Sequence, residues 1–129
     1  MSVIHHIGCL VADMNEAVSD YKILHPGGTI SQLFHIADQN VYVQFFKFDN
    51  IHIEFVQPID LSSTLGRMLK KTPGYYHIGI YTADIESEIA RLEAEDYKLI
   101  SKFSSEAFQG KFCAFLYNQH MHLVELIEQ

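Results

Sequence analysis

The amino-acid sequence predicts an α+β fold made of two βαβββ modules in one domain. Displacing the chain against itself by 71 positions brings His6-Ile7-Gly8 onto His77-Ile78-Gly79, Ala12-Asp13 onto Ala83-Asp84 and Glu54 onto Glu125, with no gap. In both halves the apolar spacing runs from strand to helix and back to strand, in the same order. The chain has 129 residues, 48% hydrophobic and 19% charged, enough for one core without disulfides or structural zinc and against disorder. The modules are expected at about 1–58 and 74–129, with a connector helix within 59–73, all inside a single domain spanning 1–129.

Val3 to Val11 is rich in apolar and β-branched residues and reads as a strand. Asp13 then reads as an N-cap with Glu16 three residues on, and Met14, Ala17, Val18, Tyr21 and Leu24 recur at helical spacing. Pro26-Gly27-Gly28 stops that helix. A weak strand from Thr29 to Phe34 follows, then Val41 to Phe48 and Ile51 to Gln57, with Asp49-Asn50 as a two-residue turn. Pro58 closes the last strand. Ser62 or Ser63 caps the connector helix, which runs through Leu69 and stops at Pro73-Gly74. The second half repeats the scheme: a strand from Tyr76 to Thr82, and a helix from Ile85 to Asp96 capped by Asp84. Strands at Lys98 to Phe103, Lys111 to Tyr117 and His122 to Glu128 complete it. The gapless match places Val41 on Phe112, Phe45 on Leu116, Ile53 on Val124 and Val56 on Ile127.

Nine basic against sixteen acidic residues give a net charge of −7, which opposes non-specific nucleic-acid binding. No apolar run approaches the roughly 20 residues of a membrane span. The N-terminus lacks a basic start followed by an apolar stretch, so no signal peptide is expected and the expected location is the cytoplasm. Cys9 and Cys113 belong to no C-x-x-C pair, which excludes a Cys-type zinc site; both are expected as reduced, buried thiols.

The repeat duplicates a histidine and a glutamate, and in each half the Glu follows its His by 48 residues. His6, Glu54, His77 and Glu125 are therefore the candidate metal ligands, each on a strand. Glu54 in Ile53-Glu54-Phe55-Val56 and Glu125 in Val124-Glu125-Leu126-Ile127 would face a large desolvation cost if buried without a partner. Two imidazoles and two carboxylates suit one divalent ion of borderline hardness: zinc, nickel, cobalt, manganese or iron. On a six-coordinate ion they would leave two adjacent positions for a substrate chelating through two oxygens. The remaining histidines are not assigned to the site. Strand alternation points His5 away from His6, and His52 shares a face with Glu54 and could line the same cavity. His35, His120 and His122 fall in or near loops, and His25 complements a helix C-terminus.

Across essentially its whole length the chain resembles the vicinal oxygen chelate superfamily, which includes glyoxalase I and methylmalonyl-CoA epimerase. The resemblance lies in His6-Ile7-Gly8, Ile53-Glu54-Phe55-Val56-Gln57-Pro58, His77-Ile78-Gly79 and Leu123-Val124-Glu125-Leu126-Ile127-Glu128. It implies paired βαβββ modules around a metal cleft, His6, Glu54, His77 and Glu125 as ligands, and a homodimer. The connector at Pro58-Ile59-Asp60, Ser62-Ser63 and Leu69-Lys70-Lys71, and Gly110-Lys111 before Phe112, look most like the epimerase group. Glu54, where some epimerases carry Gln, looks more like bacterial glyoxalase I. Epimerases commonly carry acids in the stretch matching Ser31 to Asn40, where the acid here is Asp38.

The chemistry implied is removal of a proton from the carbon between two metal-bound oxygens, with Glu125 or Glu54 as base and an enolate stabilised by the ion. Substrates of that type are an acyl-CoA thioester or a glutathione adduct. Arg67, Lys70 and Lys71 would either hold CoA phosphates or form a solvated helix face. A non-haem iron dioxygenase and a non-catalytic drug-binding protein are the alternatives. A fourth protein ligand counts against the first, and an intact ligand set counts against the second.

Overall fold

A computed structural model describes residues 2–129. The chain runs β1 (Val3–Leu10), α1 (Met14–Leu24), β2 (Thr29–Ile30), β3 (Phe34–Ile36), β4 (Val41–Lys47), β5 (His52–Pro58), α2 (Thr64–Lys71), β6 (Gly74–Thr82), α3 (Ile85–Ala94), β7 (Lys98–Ser104), β8 (Phe112–Tyr117) and β9 (Leu123–Glu128). Single 3₁₀ turns at Ala37–Gln39 and Glu106–Phe108 precede β4 and β8. The weak strand expected from Thr29 to Phe34 is two short strands, and His35 lies in the second, between two loops.

The helices start where short polar side chains satisfy their free N–H groups. Asp13 accepts from the Glu16 N–H, Ser63 from Gly66 and Asp84 from Ser87. The second-half helix is shorter than its apolar spacing suggests. It ends at Ala94, where Asp96 takes a left-handed φ of 67° and the Tyr97 N–H donates back to the Leu92 carbonyl.

The strands form one sheet in the order β2-β4-β5-β1-β6-β9-β8-β7, with β3 also on β4. At its centre β1 and β6 run antiparallel, with Ile7 opposite Ile78, and each has a parallel neighbour outside it, β5 and β9. The two ends of the sheet meet across a cleft. The Ala37 N–H donates to Glu106, the Ser104 N–H donates to Asp38, and Phe108 packs on Phe45. The concave side carries Leu10, Val41, Val43, Phe45, Val56, Phe103 and Phe115. On the convex side α1 covers Phe46, Ile53 and Phe55, and α3 covers Ala114, Leu116 and Leu126.

The repeat is not gapless in three dimensions. Phe45 stands opposite Glu54 and Phe115 opposite Glu125, so β4 and β8 match at a spacing of 70 rather than 71. The connection over 118–122 is one residue longer than that over 48–51. Phe45 therefore corresponds to Phe115, both on the cleft side, and not to Leu116, which packs under α3; likewise Val41 does not correspond to Phe112. A one-residue slip in a strand exchanges its two faces, so hydrophobicity alone does not detect it when both faces are buried.

Candidate metal centre

His6 on β1, Glu54 on β5, His77 on β6 and Glu125 on β9 come from four adjacent strands, and all turn into the cleft. Their exposures are 0%, 5%, 0% and 3%. Strand register explains the repeated His-Ile-Gly. His6 stands opposite Gly79 and His77 opposite Gly8. A Cβ on Gly79 would lie 2.1 Å from the His6 ring, and one on Gly8 would lie 2.3 Å from the His77 ring. Each module's glycine is the seat of the other module's imidazole.

The donor atoms converge on one point. The two Nε2 atoms are 2.9 Å apart. Oε1 of Glu125 lies 3.0 Å from Nε2 of His6 and 3.2 Å from that of His77, and Oε1 of Glu54 lies 3.5 and 3.3 Å from the same atoms. Adjacent ligands on a six-coordinate ion with bonds of about 2.1 Å stand about 3 Å apart, which these distances match. Oε1 of Glu125 is buried, and among the described residues no donor is aligned to hydrogen-bond it. The donor set, its burial and this orphaned oxygen fit a divalent cation held between two histidines and two glutamates.

The electrostatics agree. Burial alone would lower the His77 pKa, but the Glu125 and Glu54 carboxylates outweigh it and raise it to about 9. Burial would raise that of Glu125, and the two imidazoles hold it well below the usual carboxylate range. The two carboxylates thus concentrate negative charge at the imidazoles, where a proton on His77 balances it in the absence of metal and a cation would take its place.

A cavity of about 30 Å³ touches Glu54, His77 and Glu125 and is walled by Gln39, Tyr76, Phe103, Ser105 and Phe115. It shares Gln39, Leu65, Tyr76 and Phe115 with an outer, mainly apolar groove of about 510 Å³ beside α2. Asp38 is not part of this wall; its carboxylate accepts from the Ser104 N–H at the rim, and Gln39 faces the cavity instead. Arg67, Lys70 and Lys71 are exposed on α2, whose Leu65 and Met68 face the groove. Cys113 is buried and Cys9 half-buried, both unpaired thiols.

Two histidines left out of the sequence-based site lie close to it. His5 does not point away from His6. β1 carries a bulge, with Ile4 opposite Ile80 and His6 already opposite Gly79, so His5 turns to the cleft side. The same irregularity falls at Tyr76 in β6, where Gly8 faces His77 and Cys9 faces Tyr75. His52 does not share the Glu54 cavity; with His5 it lines a second cavity of about 330 Å³. Strand alternation cannot reveal a bulge, and nothing in the sequence marks His5 or Tyr76 as bulged. His120 and His122 lie beside the β8–β9 turn, where Asn118 accepts from both their N–H groups.

A family model for the Glyoxalase/Bleomycin resistance protein/Dioxygenase superfamily matches residues 5–115. The mitochondrial methylmalonyl-CoA epimerase of Dictyostelium discoideum is 28% identical, over 98% of this chain and 78% of its own length. An uncharacterized Bacillus subtilis protein, YqjC, is also 28% identical, over 99% of this chain and 93% of its own. Among solved structures, a Streptomyces coelicolor methylmalonyl-CoA epimerase variant in complex with 2-nitronate-propionyl-CoA superposes with a TM-score of 0.86. It is 22% identical and covers 98% of this chain and 94% of that one.

Proposed function

The chain belongs to the Glyoxalase/Bleomycin resistance protein/Dioxygenase superfamily, and from that premise we propose that it is a divalent-cation-dependent epimerase acting on an acyl-CoA with two neighbouring carbonyl oxygens, as methylmalonyl-CoA epimerase does. The observation that carries this reading is the buried two-histidine, two-glutamate cluster at the floor of a cleft. His6, Glu54, His77 and Glu125 would hold the cation, which supplies Lewis acidity toward substrate oxygens.

The chain's own groups do the rest. Leu65, Tyr76, Phe103 and Phe115 exclude water around the reacting carbon. Glu125 takes the proton from the carbon between the two oxygens: the C–H bond breaks, its electrons pass into the enolate, and a carboxylate oxygen gains the proton. Glu54, also lining the cavity, carries a proton taken up from solvent water and delivers it to the other side of that carbon, inverting its configuration, and Glu125 then gives its proton back to solvent so that the pair is reset. A carboxylate engaged with a cation is a weak base, so Glu125 must loosen as it accepts the proton.

A glyoxalase I-type isomerisation of a glutathione adduct is the second reading, favoured by Glu54 itself, since a glutamate at this position resembles bacterial glyoxalase I. One experiment tests both. The purified chain, loaded in turn with zinc, nickel, cobalt, manganese and iron(II), is incubated with methylmalonyl-CoA in deuterated water and, separately, with the methylglyoxal–glutathione hemithioacetal. Exchange of the α-proton with epimerisation is expected for the first. Turnover of the hemithioacetal alone would replace the epimerase reading with the second, and inactivity on both with every ion would overturn the two.

A further inference from the structure

His6 and His77 are related by the repeat, yet their outer nitrogens are treated differently. Nδ1 of His77 is buried with no hydrogen-bond partner among the described residues. Nδ1 of His6 lies 2.9 Å from Nδ1 of His5, and Nε2 of His5 lies 2.9 Å from Nδ1 of His52. Three imidazoles thus form a row from the cation site to the second cavity. The His5 ring is boxed edge-on by Phe45, Tyr81 and Phe108, at centroid distances of 5.4, 5.1 and 5.1 Å, which leaves its two nitrogens facing His6 and His52. The module-two counterpart of His5 is Tyr76, whose ring stands edge-on to His77 at 4.7 Å and offers its Nδ1 no acceptor.

A neutral imidazole has one N–H and one bare nitrogen, so each ring in such a row fixes the next. Only two arrangements are self-consistent. In one, His6 donates from Nδ1 to His5, His5 donates from Nε2 to His52, and the Nε2 lone pair of His6 is free for a cation. In the other, His52 donates to His5 and His5 to His6, so the proton of His6 sits on Nε2 and blocks coordination. We propose that His5, backed by His52, is a positioning residue that holds His6 in its cation-binding tautomer, a support that His77 lacks. The bulge in β1 is the backbone feature that makes it possible, because regular alternation would aim His5 out of the cleft.

This inference rests on the cation site proposed above, and the experiment separates the two. Zinc affinity of the full chain is measured by competition with a chromophoric chelator, with circular dichroism and thermal melting as folding controls. Removal of an outer hydrogen-bond partner typically weakens metal binding about 10–100-fold, and that loss is expected for His5→Phe. His5→Asn, which keeps an acceptor for the His6 N–H, should recover most of it, and His52→Phe should give a smaller loss. Nitrogen-15 NMR of the zinc-loaded wild type should place the protons on Nδ1 of His6 and on Nε2 of His5 and His52; this readout stands even if a variant fails to fold. Zinc binding abolished by His77→Ala but unchanged by His5→Phe would overturn the row and leave the cation site intact, as would a His5 proton on Nδ1. A wild-type chain that binds no zinc would overturn both.

Discussion

A methyl group on Gly79 would have to occupy the space of the His6 imidazole, so Gly79→Ala is the smallest change that reaches the centre. Overpacking of this kind costs about 1–3 kcal/mol, and displacement of the ring should weaken zinc binding at least about tenfold. Gly8→Ala should act equally through His77; zinc affinity and melting temperature check both, and an unaltered affinity would show that the rings are free to move. The same centre sets a pH signature for the chelator-treated chain. His77 titrates higher folded than unfolded, so its stabilisation is complete below about 6.5 and is lost as pH rises towards about 9. Glu125 titrates lower when folded, so its stabilisation is present above its unfolded pKa of about 4.3 and is lost as pH falls below that. The melting temperature without metal should therefore peak between roughly pH 4.5 and 6.5. Zinc should flatten the alkaline decline, because binding needs His77 neutral and releases its proton.

At the scale of elements, the two halves are built with the same devices but are not copies. Asp13 and Asp84 cap equivalent helices, and both are legible because a short acidic side chain directly before an apolar helical face supplies the acceptor that a helix N-terminus needs. Asp84→Ala should cost about 1 kcal/mol, a fall of a few degrees in melting temperature, with zinc affinity unchanged because α3 lies on the convex face. The bulges at His5 and Tyr76 are the opposite case. They come from how β1 and β6 fit together, and alternation along either strand alone gives the wrong face for His5. The longer β8–β9 connection hid in the same way, since both faces of β8 are apolar and a one-residue slip leaves the hydrophobic match intact.

In the whole molecule, the curled sheet places the candidate cation site at the centre and opens the apolar groove beside α2. With a net charge of −7, the anionic acyl-CoA proposed as substrate needs local attraction, and Arg67, Lys70 and Lys71 form a basic cluster on α2, whose Leu65 and Met68 line the groove. Lys70→Glu with Lys71→Glu should raise KM for the acyl-CoA and leave kcat nearly unchanged, since the contact is remote from the reacting carbon; steady-state kinetics decide it, and an unchanged KM would leave these lysines as solvated surface. The homodimer that the family resemblance implies is expected in light scattering, and a monomer at micromolar concentration would refute it.

The sequence by itself determined the order of elements, the duplication and the four candidate ligands. These depend on spacing along the chain, and a His and a Glu duplicated at one common interval point to a single shared site. Tertiary structure alone decided which nitrogen and oxygen atoms meet, why glycine follows each ligand histidine by two residues, and that His5 and His52 stand behind His6. Those facts depend on register between strands far apart in the chain and on a bulge that reverses one side chain. Pairing of β1 with β6, not any local preference of either strand, fixes both.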